Sequence, residues 1–129
     1  MQDPKDWKSF YSNLDKDRPI EEVCALLKSL LKDDANQIIF CTGRVEDYRE
    51  KTIEQINKIL KGSKNIDIDS CLYMRPKGDY RKDFMVKRDL YKRMIDDGFN
   101  PVLVFEDKIT VVEMWKEMGL KCLRVTGAQ

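Results

Sequence analysis

"QIIFCTGRVEDY", residues 37–48, is the stretch on which the fold turns. Four consecutive apolar residues, Ile38, Ile39, Phe40 and Cys41, break at once into Thr42-Gly43-Arg44 and then into an acidic helical start. A short continuous apolar run bounded by turn residues fits a buried strand of a parallel sheet. Working outward, Tyr48, Thr52, Ile53, Ile56, Ile59 and Leu60 predict a helix stopped by Gly62, and residues 71–74 a short strand. Asp83 opens a helix to about residue 95. Residues 102–105 form the clearest buried strand, and Val111, Val112, Trp115 and Met118 line a helix ended by Gly119. Residues 121–125 read as a last strand. Upstream, residues 4–14 are expected as a short helix with Trp7, Phe10, Tyr11 and Leu14 on one face. Asp17 is expected to cap a further helix that begins at Arg18-Pro19 and carries Ile20, Val23, Leu27, Leu30 and Leu31.

This order, a helix, then strand and helix alternating, then a strand, argues for an α/β fold with a mainly parallel sheet. At 129 residues there is room for one domain, and 42% apolar with 36% charged residues suits a soluble globule. No apolar run approaches the roughly 20 residues that span a bilayer, and "MQDPKDWK" lacks a signal peptide's apolar core. A cytoplasmic location without membrane attachment is the expectation. The four cysteines show no C-x-x-C pair and are expected as reduced core thiols. Histidine is absent, which excludes Ser-His and Cys-His nucleophiles.

Ligands of such sheets bind at the carboxyl ends of the strands. Those ends read "CTGR", "YMRP" and "FEDK". With "KDW" near the start, the segments "CTGRVEDYREKT", "LYMRPKGDYRKDFMVK" and "VLVFEDKITVVEMWKEMGLKCLRV" resemble the haloacid dehalogenase-like (HAD) phosphatases. The likeness is nearest to the 3′-phosphatase domain of bacteriophage polynucleotide kinase–phosphatases, and it runs over essentially the whole chain. The resemblance implies a three-layer, Rossmann-like HAD fold and an Asp-nucleophile phosphatase that uses Mg²⁺. It places Thr42 on the transferring phosphoryl oxygens, with Gly43 and Arg44 beside it, Lys87 as the balancing cation, and Glu106-Asp107 as the metal-holding pair. The family's pair is Asp-Asp, so Glu106 departs from it, and Asp107 is the better ligand because Mg²⁺ tolerates little displacement of its octahedral shell. Each residue also has a plainer reading. Thr42-Gly43 reads equally as a turn and Asp107 as a cap for the helix after it, while Asp83 and Lys87 fit an exposed pair worth roughly 0.3–0.5 kcal/mol.

The family's first strand ends in D-x-D-x-[TV], where the first Asp attacks phosphorus. No apolar strand followed by that motif precedes Ile38. Asp15 and Asp17 have the spacing, but a poor strand precedes them and Pro19 stands in the turn. Asp67 and Asp69 follow a polar stretch. The expectation is therefore a single HAD-like domain over residues 1–129 that is N-terminally incomplete, with the central strand missing. The gap would be closed directly, by a strand from a partner chain such as a second copy, or by an N-terminal piece of which this sequence is the remainder.

Between Arg75 and Arg93 eight basic residues face three acidic ones. Arg75 and Arg81 flank a Pro-Gly turn, and Tyr73 and Tyr80 lie in or beside it as candidate stacking platforms. That combination suits a phosphorylated nucleic-acid end. Two functional readings follow: a relative of polynucleotide 3′-phosphatases with little independent activity, or a non-catalytic module that binds phosphorylated nucleotide or nucleic-acid ends.

Overall fold

In the computed structural model, residues 7–11 and 21–125 are described. Five parallel strands, β1 (Trp7–Tyr11), β2 (Asn36–Val45), β3 (Leu72–Arg75), β4 (Leu103–Glu106) and β5 (Lys121–Arg124), form one sheet in the order β3-β2-β1-β4-β5. Four helices, α1 (Glu21–Leu30), α2 (Arg49–Ile59), α3 (Asp83–Asp96) and α4 (Ile109–Glu117), alternate with the strands. The α/β, HAD-like architecture with a parallel sheet is thus present.

β2 shows why the helices must cover both faces. Its side chains alternate, Ile38 and Phe40 packing with Val23 and Leu27 of α1 and Ile56 and Ile59 of α2. Ile39 and Cys41 pack with Val86, Leu90 and Met94 of α3 and Val111, Met114 and Trp115 of α4. Because both faces are buried, the strand reads as a continuous apolar run rather than an alternating one. α2, α3 and α4 are followed by glycines at positive φ, Gly62, Gly98 and Gly119, as their sequences signalled.

Two expectations are corrected at the amino end. Residues 7–11 are a strand, not part of a helix, and they occupy the central position that was expected to be empty. Ser9, Phe10 and Tyr11 pair with Ile38, Ile39 and Phe40 on one side and with Leu103, Val104 and Phe105 on the other. Apolar residues in so short a segment do not separate a helical from an extended period. Two buried strands with unmatched backbone groups decide it, because β1 satisfies both edges at once. No second copy or partner is needed to supply that strand. Asp15, Asp17 and the turn containing Pro19 lie outside the described residues.

The cysteines match their expected role. All four are free; Cys41 and Cys71 are buried, and Cys24 and Cys122 half-buried. Burial pushes the Cys71 and Cys122 thiols up to about 11, so they remain protonated and inert at neutral pH. Among the described residues no helix is long and apolar enough to cross a membrane.

Placement of β1 in the middle of the sheet is checked by hydrogen exchange. Amides of Ser9 and Phe10 should exchange as slowly as those of Ile39 and Phe40, through near-global opening. Exchange at rates typical of a surface segment would contradict the central position.

Candidate functional site

β2 does not end at Cys41 but runs on to Val45, with an irregularity in its pairing to β3. Thr42 is opposite Met74 and Val45 opposite Arg75, so Gly43 and Arg44 are extra residues on β2. An insertion of this kind bends a strand and re-aims its side chains, and it often marks a site. Thr42 is fully buried, and its Oγ1 accepts the Arg44 backbone N–H at 3.2 Å. The Arg44 guanidinium turns back onto α2, donating to Gln55 Oε1 at 2.7 Å and Thr52 Oγ1 at 3.5 Å.

On the other side of β1, Glu106 closes β4. Tyr11 is level with both Phe40 and Phe105, so Thr42 and Glu106 flank the carboxyl end of the central strand. Lys87, from the second turn of α3, is 1% exposed and Glu106 0% exposed. Lys87 Nζ lies 3.4 Å from Glu106 Oε1, which also accepts the indole N–H of buried Trp115 at 3.2 Å. Glu106 Oε2 accepts the backbone N–H groups of Asp107 and Lys108 at 3.2 and 3.3 Å. Glu106 thus fixes the backbone leading into α4, whose N-cap residue, Lys108, makes no side-chain cap bond. Asp107 is half-buried beside this cluster.

A second cluster fixes the loop after β3. The Arg75 guanidinium donates to the Gly43 carbonyl at 2.7 Å, to the Asp79 carbonyl at 3.0 Å, to the Arg81 carbonyl, and to Asp83 Oδ1. Arg75 thus ties the β2 irregularity to the basic turn and to the start of α3. Asp83 accepts Lys108 on its other oxygen at 2.7 Å, which joins α3 to the β4–α4 connection. Asp83 and Lys87 are not an exposed pair: each is engaged with a different element. Burial alone would push the Asp83 carboxyl up, but Lys108, Lys87 and Arg75 overcome it and hold the group below its ordinary value. Arg81 is exposed and pairs with Asp79 and Asp89 at 2.8 and 2.7 Å. Tyr73 is buried against Phe99 with its hydroxyl donated to Asp97, so it is not a surface platform, whereas Tyr80 is exposed. Asp67 and Asp69 precede β3 at its amino end, and Asp69 holds Arg49 at 2.6 Å.

The sequence pointed to Thr42, Lys87 and Glu106 but passed over Trp115 and Asp83 as functional. Trp115 stood out only as a core residue of a helix, although a buried indole N–H needs an acceptor. A divalent metal fits these residues poorly. Glu106 already accepts four donors, and among the described residues no group of three or more Cys, Asp or Glu is gathered at one point. Asp107 alone remains as a ligand of the expected pair.

Two variants test the clusters. Lys87→Met leaves the Glu106 carboxylate buried and uncompensated, and should cost about 3–5 kcal/mol in urea unfolding. Adding Glu106→Gln should recover most of that loss; no recovery would mean the pair is not what holds α3 to β4. Asp83 has a lowered carboxyl, so its contribution is complete above its unfolded value of 3.8 and is lost as pH falls through the lower folded value. Asp83→Asn should therefore be less stable than the parent at pH 7, with the difference shrinking below about pH 4. A difference that persists unchanged in acid would contradict the ion-pair assignment.

Comparison with known proteins gives a consistent result. The family model for the polynucleotide kinase PNKP phosphatase domain matches residues 4–129. A protein of Autographa californica nuclear polyhedrosis virus, named "Putative bifunctional polynucleotide kinase/RNA ligase", is 30% identical over 117 residues, covering 88% of this chain and 16% of the viral protein. A chain in the solved "Structure of the Pnkp1/Rnl/Hen1 RNA repair complex" superposes with a TM-score of 0.74 at 25% identity, covering 100% of this chain and 45% of that one. A second, from the "Structure of Pnkp1/Rnl/Hen1 complex", gives 0.73 at 24% identity, covering 100% and 49%. The chain therefore spans 16% of the viral relative's length and less than half of each solved chain. On the family match over nearly its full length, this chain belongs to the HAD-like PNKP phosphatase-domain family.

Proposed function

We propose that this chain is a phosphatase-type unit for phosphorylated 3′ ends of polynucleotides, with little or no turnover of its own in the sequence given. The convergence of Thr42 and the Lys87–Glu106 pair around the carboxyl end of β1 carries the reading. Phosphoryl transfer asks a protein chiefly to position the group and to set positive charge and hydrogen-bond donors against its oxygens. In this proposal the Thr42 side chain, re-aimed by the bend in β2, meets the phosphoryl oxygens with Gly43 and Arg44 beside it, and Lys87 supplies the cation. Arg81 meets phosphates from the exposed turn. Arg75 acts indirectly, through the loop it braces.

The expected nucleophile is what the sequence lacks. Beyond Tyr11 come Ser12 and Asn13, and the first carboxylate is Asp15. Neither Ser12 nor Asn13 can supply the aspartyl carboxylate that attacks phosphorus in the family. Mg²⁺, which the family employs to offset charge on the transferring group, would have Asp107 as its one remaining described ligand. The names of the relatives motivate a further part of the proposal, that the domain works beside polynucleotide kinase or RNA ligase units, joined to it or in a partner chain.

Incubation of the pure chain with a 3′-phosphorylated oligonucleotide and Mg²⁺ should release inorganic phosphate no faster than a no-protein control. Robust release, abolished by Asp15→Asn or Asp17→Asn, would overturn the proposal and identify the nucleophile.

A further inference from the structure

The loop after β3 is unusual in what it holds still and what it leaves in water. Pro76 to Asp79 is a turn closed by the Asp79 N–H on the Pro76 carbonyl at 3.2 Å, with Gly78 at φ +81, a conformation side-chain-bearing residues rarely adopt. The carbonyls of Asp79 and Arg81 are both held by the one Arg75 guanidinium. Asp79 in turn accepts the Arg81 backbone N–H at 3.1 Å, and the Arg81 side chain is fixed between Asp79 and Asp89. Tyr80, between the two anchored residues, is 94% exposed. Its backbone is pinned on both sides while its ring meets solvent.

An aromatic ring that an ordered loop keeps in water is a contact surface awaiting a partner. Here the surroundings define that partner's chemistry. Lys77, Arg81 and Lys82, all exposed, lie within three residues of Tyr80 in the chain. The loop leaves the carboxyl end of β3, the strand beside β2 and Thr42, and runs directly into α3, which carries Lys87. A second exposed tyrosine, Tyr48, stands in the connection at the carboxyl end of β2. An exposed π-face with cations as its chain neighbours, on the loop that joins the strand beside Thr42 to the helix that carries Lys87, matches single-stranded nucleic acid, in which each base has a face to stack and each linkage a charge.

We propose that Tyr80 is a stacking platform for a base next to the phosphorylated end of a single strand. The inference rests on the phosphate-end reading above and adds the base-side contact to it. Arg75 serves it by rigidity, since a ring already held in place loses little freedom on stacking.

The test is fluorescence anisotropy with the full chain and a labelled single-stranded oligonucleotide bearing a 3′-phosphate. Tyr80→Ala should weaken binding about five- to a hundredfold, and Tyr80→Phe should stay within about twofold of the parent. An oligonucleotide whose terminal nucleotides lack bases should bind the parent weakly and be indifferent to Tyr80→Ala. Equal binding by the parent and Tyr80→Ala, or full affinity for the abasic strand, would overturn the inference and leave the ring to a protein partner. A 3′-hydroxyl strand separates the two proposals. If it binds as well as the phosphate while Tyr80→Ala still weakens both, the phosphate-end reading fails and the platform stands.

Discussion

The buried pair of Lys87 and Glu106 is the constraint around which the site is arranged. Removing either ion from water costs several kcal/mol even after relaxation, and a separation of 3.4 Å returns only part of that. The remainder must come from hydrogen bonds to the carboxylate. Trp115 gives one and the backbone N–H groups of Asp107 and Lys108 give two more. These donors come from the connection after β4 and from α4, while the ammonium comes from α3. Satisfying one carboxylate therefore fixes two helices and a strand end against each other.

Arg75 and Asp83 extend the same logic outward to half-exposed ground. Exposed ion pairs contribute little, because side-chain entropy and screening offset the attraction. These two side chains are only 12% and 20% exposed, and the partners of Arg75 include the backbone carbonyls of Gly43 and Asp79. Their value is geometric. Gly43 of β2, the basic turn, α3 and Lys108 are held in one relation, so the position of Thr42 depends on residues far along the chain. A strand irregularity at Gly43-Arg44 without Arg75 would leave a carbonyl turned out of the β2–β3 ladder.

Much of this was legible in the sequence. The apolar run from Ile38 to Cys41, the glycine stops and the run from Val102 to Phe105 carried the parallel sheet and its helices, because strands buried on both faces leave that pattern. Thr42 and Glu106 stood out at strand ends, and Lys87 in the helix between them, because the three come in family order. β1 was not legible. In "WKSFY" the apolar residues suit either period, and what selects the strand is the vacancy between β2 and β4, a fact of tertiary structure. Nor were the partners of Arg75 legible. A basic residue at a strand end suggests phosphate by itself, and only the fold brings four acceptors within its reach. Trp115 was hidden for a related reason, since a tryptophan on an apolar helix face fits the core whether or not its N–H finds a carboxylate.

The charge balance now bears on how such a site would take its ligand. Lys87 is offset by Glu106, while Asp83 is shared between Lys108 and Arg75. On the turn, Lys77 and Lys82 stand exposed to water beside Arg81, which Asp79 and Asp89 hold. Charges placed there act over about a Debye length and weaken as salt rises. They attract a polyanion and orient it, but they discriminate poorly between one phosphate and the next. In the proposed reading, discrimination then falls to the closer contacts around Thr42, whose geometry is set by the bend in β2. A free phosphate ion would meet only the second set of contacts, whereas a nucleic-acid end would meet both.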